Sequence, residues 1–227
     1  MKRLQFIKFG VTTGISLLGF PGVLRAFDKK LPNVLLLGDF ISIGYTPFVK
    51  ELLSGKANVF RPVLENKKPE NCMGTENGIL KINSWIGDGN WDVVHFNFGL
   101  HDLKHVNKIT GENSNDPKDP RQTSIRQYEK NLKEIIEILK TTNATLIFAT
   151  TTPVPNKRVP FRDPGSVPKY NKAALKLMKK ENIHINDLYS FSLPLLTEIQ
   201  RPDNVHFTGP GSKVLAGKVA NSILKLL

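Results

Sequence analysis

Asp203 and His206 stand three residues apart in "DNVHFT" (203–208). Over that spacing a loop can bring a carboxylate to the far nitrogen of an imidazole. A histidine held in this way is a general base suited to acyl transfer. The same chemistry needs donors aimed at a developing oxyanion. Gly74, in "ENCMGTENG" (70–78), offers a backbone N–H with no side chain to keep a substrate away. His101, in "FGLHD" (98–102), offers a ring N–H. A nucleophile belongs on a tight turn after a strand, where a hydroxyl stands clear of the backbone. "LLLGDFISIGYTPF" (35–48) supplies the strand and, at Gly38-Asp39, the turn. The next residue is Phe40, whose ring has no proton to give up and no lone pair for attack.

Each signal has a plainer reading when taken alone. A lone D-x-x-H describes many surface histidines beside a loop-capping aspartate. Gly74 suits an ordinary turn, and His101-Asp102 suits a helix cap. Their order gives them weight, since each follows a different strand or precedes the last helix.

The elements that would position them are legible. Candidate strands are 33–37, 58–61, 92–98, 145–150 and 183–185. Thr46 reads as the cap of a helix with Pro47 first, Phe48, Val49, Leu52 and Leu53 inside it, and Gly55 after it. Ser124 with Gln127 forms a capping box that opens a helix bearing Ile125, Tyr128, Leu132, Ile135, Ile136 and Leu139 along one stripe. Residues 167–180 and 212–226 carry similar stripes. Strands alternating with helices predict an α/β fold, a doubly wound five-stranded parallel sheet in a three-layer sandwich. Working groups gather at the carboxyl ends of such strands. Two long loops, 104–120 and 153–168, are candidates for functional rims or lids. His95 is expected to be a satisfied core histidine, His105 and His184 surface residues, and Trp85 and Trp91 packing at the core edge. Lys157, Arg158 and Arg162 read as solvated charges or contacts for an anionic glycan.

The chain of 227 residues suits one domain. Residues 1–26 differ from the rest: Lys2, Arg3 and Lys8, then a charge-free apolar run, then "LRA". That order predicts an export signal cut after Ala26, which would place the rest of the chain in a periplasm or outside the cell. A twin-arginine signal lacking its second arginine and an N-terminal membrane anchor are the alternatives. The segment carries four of the net +12 charges. No basic run interleaves with aromatics, so nucleic acid is not an expected partner. Cys72 is the single cysteine, which excludes an intrachain disulfide and a thiolate metal framework.

From Asn33 onward the four stretches resemble the SGNH or GDSL-type serine ester hydrolases. The likeness lies in Gly38-Asp39 with Ile41-Ser42 and Gly44-Tyr45, in Gly74, in Gly99 to Asp102, and in Asp203 to His206. "GYTPFV", "ENCMGT", "HFNFGLHDLK", "ATTTPVP" and "INDLY" are similar to a branch found in exported bacterial proteins. The resemblance implies a flavodoxin-like sandwich and hydrolysis of acyl groups, often acetyl esters on carbohydrate, without metal or organic cofactor. It also implies His206 as base, Asp203 as its orienting group, and Gly74 as an oxyanion donor. Two departures stand out. The third block reads Gly-Leu-His-Asp where the family has Gly-x-Asn-Asp, so His101 takes the place of the asparagine donor. The nucleophile position is Phe40. Three readings follow: a catalytically dead site used for binding glycan or as a scaffold, relocation of the nucleophile to Ser42, or a variant of a working enzyme. For Ser42 the plainer role is a hydroxyl bonded to the backbone of the turn.

Overall fold

Runs of β-branched and aliphatic residues form five strands: β1 (Asn33–Leu37), β2 (Asn58–Phe60), β3 (Val93–Phe96), β4 (Thr145–Ala149) and β5 (His184–Asn186). All are parallel, in the order β2-β1-β3-β4-β5. Residues Val34 to Leu37 and Val93 to Phe96 are buried on both sides, as a sheet covered by helices on both faces requires. The computed structural model describes residues 30–155 and 160–227. Residues 1–26, read as an export signal, lie outside the described residues, as do Lys157 and Arg158. No described helix is long and apolar enough to cross a membrane.

The helices fall into two packed groups. α1 (Phe40–Leu52) packs on α7 (Gly209–Leu224), and α3 (Ile125–Lys140) lies between α2 (Thr75–Ile86) and α4 (Ser166–Lys180). Two short helices, α5 (Leu188–Ser192) and α6 (Leu196–Ile199), lead toward the last loop. The result is a three-layer α/β sandwich whose sheet reverses direction of growth between β1 and β3. Ligands in such sheets bind at that crevice, beyond the strands' carboxyl ends.

Local chemistry sets where the helices start. α3 begins at Ser124, whose hydroxyl accepts from Gln127 N at 3.2 Å. The Gln127 amide turns forward to Asn131 Oδ1 instead of back to the cap, so only half of the capping box forms. Tyr128, Leu132, Ile135, Ile136 and Leu139 make the expected buried stripe. α1 begins earlier than expected. Asp39, not Thr46, is its cap and accepts from Ile41 N at 2.9 Å. Pro47 therefore lies inside the helix and leaves the Ile43 carbonyl without its usual donor. The Asp39 cap satisfies an otherwise orphaned amide directly at the strand end, and Thr46 bonds back to the Ser42 carbonyl at 2.7 Å. Helix α2 is not among the helices expected from the sequence, although Gly78, Ile82, Trp85 and Ile86 form its buried stripe.

The junction before α7 is tight. Thr208 caps that helix by accepting from Gly211 N and bonds the Ile199 carbonyl through both its amide and its hydroxyl. A Cβ at Gly211 would run into that same carbonyl oxygen. Gly211→Ala is therefore expected to cost about 1–3 kcal/mol. Thermal unfolding followed by circular dichroism should show a drop of several degrees, and an unchanged midpoint would contradict this packing.

Candidate functional site

The segment after β1 reaches the rim as the first turn of α1. Phe40 stands at its first position with 55% of its surface exposed. Its ring meets the His206 imidazole edge-on, centroids 6.1 Å apart at 70°. The last loop therefore does bring residue 206 to the turn at 38–42, a convergence that sequence separation alone could not establish. No described hydroxyl hydrogen-bonds His206 Nε2. The ring of residue 40 stands against the imidazole.

The other nitrogen of His206 is held differently from the sequence reading. Nδ1 bonds Asn204 Oδ1 at 2.7 Å, and the same oxygen accepts from His206 N at 2.9 Å. Asp203 is exposed, adopts a left-handed backbone with φ 51°, and makes no hydrogen bond to the imidazole. The reason is local. An asparagine oxygen readily accepts from the amide two residues on, and that small ring leaves Asn204, not its neighbour, under the imidazole. Burial depresses the His206 pKa, with Asp39 opposing and Arg201 and Arg162 reinforcing the shift.

Ser42 is not at this rim. It is buried, and its hydroxyl accepts from Arg61 Nη1 at 3.3 Å. Two residues of α-helix rotate a side chain by roughly 200°, so Ser42 faces inward wherever residue 40 faces out. Its partner is the Arg61 side chain, where the sequence suggested the backbone of the turn.

Gly74 caps α2, and Cys72 N bonds the Gly38 carbonyl at 3.2 Å, which seats this stretch beside the first turn. The Gly74 N–H makes no hydrogen bond to the described residues and is available to an anion. Its missing side chain serves an internal purpose. A Cβ there would stand 3.0 Å from Asp102 Oδ2. Asp102 is buried and accepts from Thr75 N and Thr75 Oγ1 at 2.9 and 2.5 Å. It thus caps α2 from a distant loop, where the sequence suggested a cap next to its own strand. Burial lifts its pKa to about 6. Gly99, with φ 153° and Thr151 against its α-carbon, sets the bend that places Asp102 and His101.

His101 is half-buried. Burial lowers its pKa from the usual 6.5 to about 4, with Asp39 opposing and Arg162, Lys104 and His206 reinforcing. A neutral imidazole there keeps one N–H for an oxyanion. Arg162, expected as a solvated charge or a glycan contact, is instead half-buried with Nε on the Leu100 carbonyl at 2.8 Å. His105 corrects the surface expectation. It is 5% exposed, with Nδ1 on the Asp119 carbonyl at 2.6 Å and Nε2 on Asp163 at 3.2 Å. It thereby ties the two long loops together. His95 is a core residue bonded by Asn186 through Nε2, though its Nδ1 finds no partner. Trp85 and Trp91 pack at the core edge and His184 is exposed, as expected.

No protein-family model matches the chain, and no curated protein matches its sequence. Solved structures do match. A lipase/acylhydrolase from Enterococcus faecalis is similar at TM-score 0.68 and 19% identity, over 85% of this chain and 95% of that one. An acetylxylan esterase from Geobacillus stearothermophilus gives 0.65 and 16%, over 85% and 94%. A carbohydrate esterase of family 3 from Talaromyces cellulolyticus gives 0.63 and 16%, over 86% and 98%. The chain has the SGNH hydrolase fold.

The depressed histidine has a measurable consequence. As pH falls through about 6.5 the unfolded chain binds the His101 proton first, and the folded chain follows only near 4. This group's stabilising contribution is therefore complete above that window and is lost on acidification. Imidazole NMR should find His101 neutral at pH 5.5, and a transition at its ordinary value would show the ring to be solvated.

Proposed function

We propose that this protein descends from an SGNH-type ester hydrolase acting on acylated carbohydrate or a similar ester. In this reading it binds such a ligand and hydrolyses it slowly or not at all. The carrying observation is the edge of the Phe40 ring against His206, at the place a nucleophilic hydroxyl would occupy. The surviving base, the free Gly74 amide and the neutral His101 support descent from an esterase. The basic and apolar order of residues 1–26 supports export.

The chemistry lost is specific. A hydroxyl at position 40 would attack the acyl carbon while His206 Nε2 took its proton, with Asn204 steadying the imidazolium through Nδ1–H. The oxyanion would rest on Gly74 N–H and His101. His206 would return the proton to the departing alcohol, and water would release the acyl group by the same route. Removing such a nucleophile costs on the order of 10⁶ in turnover.

Turnover of p-nitrophenyl acetate by the protein is expected to be near background, and Phe40→Ser should raise it on the order of 10²-fold or more. An inert Phe40→Ser that remains folded would overturn descent from a working site. Substantial activity in the unaltered protein, abolished by Ser42→Ala, would instead establish relocation. On the Phe40→Ser background, Asn204→Ala should lower kcat by on the order of tenfold or more, and Asp203→Ala should cost less. The reverse ranking would return the orienting role to the carboxylate.

A further inference from the structure

Arg162 is held more firmly than a solvated loop arginine needs. Phe161, just before it, has a left-handed backbone with φ 69°, a strained conformation for so bulky a residue. Two contacts keep it there. Phe161 N donates to Asn115 Oδ1 at 3.1 Å, and His105 N donates to the Phe161 carbonyl at 2.7 Å. Asp163, just after Arg162, is bonded by His105 Nε2 at 3.2 Å and by Arg121. Both neighbours of Arg162 are thus clamped to the other long loop. The guanidinium itself is fixed through Nε to the Leu100 carbonyl, next to His101.

This cation lacks an anion. Arg162 forms no ion pair among the described residues, and the carboxylate of Asp163 is taken by His105 and Arg121. Its Nη1 has only the Pro160 carbonyl at 3.5 Å, and its Nη2 donates to no described residue. Lys104 is a second half-buried cation with no ion pair among the described residues. Burial lowers the pKa of both; Arg162 adds to the shift at Lys104, Asp102 opposes it, and Asp39 opposes the shift at Arg162. Two neighbouring like charges drawn partly out of water cost stability unless an anion pairs with them. Room for a ligand exists, since a cleft of about 370 Å³ opens at Arg162, with Phe161, Ser114 and Asn115 among its walls.

We propose that Arg162 is a specificity-determining residue of this site, and that with Lys104 it binds the carboxylate of an ester ligand that carries its own carboxylate. The arginine fork takes the two oxygens, and the ammonium adds a point charge. The ester end lies toward His101 and His206, both of which Arg162 acts on. The proposal rests on reading this rim as a former ester site and names the ligand charge that reading leaves open. Permanent charges act on the bound ligand itself, so the effect falls on binding and needs no nucleophile.

The test is an NMR titration of the full chain, followed through its imidazole signals, with monomethyl succinate and, separately, with dimethyl succinate. The two esters differ by one negative charge. Monomethyl succinate should bind on the order of tenfold tighter or more. Arg162→Gln should erase that preference, Arg162→Lys should keep part of it, and Lys104→Gln should lower it severalfold. Equal binding of the two esters, binding of neither, or an undiminished preference in folded Arg162→Gln would overturn the proposal. Should Arg162→Gln fail to fold, Lys104→Gln decides in its place, because that side chain makes no hydrogen bond to the described residues. These outcomes are separate from ester turnover. An active Phe40→Ser protein with no preference for the charged ester would sink this inference and leave the esterase descent standing. A clear preference with an inert Phe40→Ser would do the opposite.

Discussion

One half-buried cation holds the rim in place. Arg61 reaches from the end of β2 into the turn after β1 and donates to Ser42 Oγ, Thr46 Oγ1, the Gly38 carbonyl and the Glu70 carbonyl. It makes no hydrogen bond to a carboxylate. A guanidinium taken out of water is costly unless its donors are met, and here carbonyls and hydroxyls meet all but Nε. The turn, the start of α1 and the stretch before α2 are thereby tied to one group. The Ser42 hydroxyl is one of the acceptors in that tie.

A second buried group ties the next two blocks. The Asp102 carboxyl closes the start of α2 through Thr75, while Asn131 on α3 donates to the same threonine hydroxyl at 3.1 Å. Gly74 and Asp102 are a matched pair because any side chain at 74 would occupy the carboxyl's space. Position 74 thus leaves an amide without a partner among the described residues and a carboxyl turned inward. Neither group hydrogen-bonds residue 40.

The two long loops act on the same rim. His105 bonds across them to Asp163, Arg121 reaches the same carboxylate, and His105 N donates to the Phe161 carbonyl at 2.7 Å. Their mutual anchoring presents Arg162 next to His101 and His206. With Arg201 this surrounds the imidazoles with positive charge, balanced chiefly by Asp39.

Much of this was legible in the residues themselves. The apolar runs marked all five strands to within two residues, most plainly β1, β3 and β4, whose burial on both faces admits little but aliphatic and aromatic side chains. The stripe from Tyr128 to Leu139 marked α3, and the absence of a hydroxyl at position 40 needed no coordinates. What only the tertiary structure decided were matters of direction and partnership. Helix α1 starts at Asp39 and not at Thr46, since a cap wins where it answers an orphaned amide. Asn204 and not Asp203 holds the imidazole, since loop geometry and not charge selects the partner. Arg61 gained its role from partners 9 to 23 residues away in the chain. Sequence spacing carries residue type and local periodicity, but which distant groups share one low-dielectric space is settled only when the chain packs.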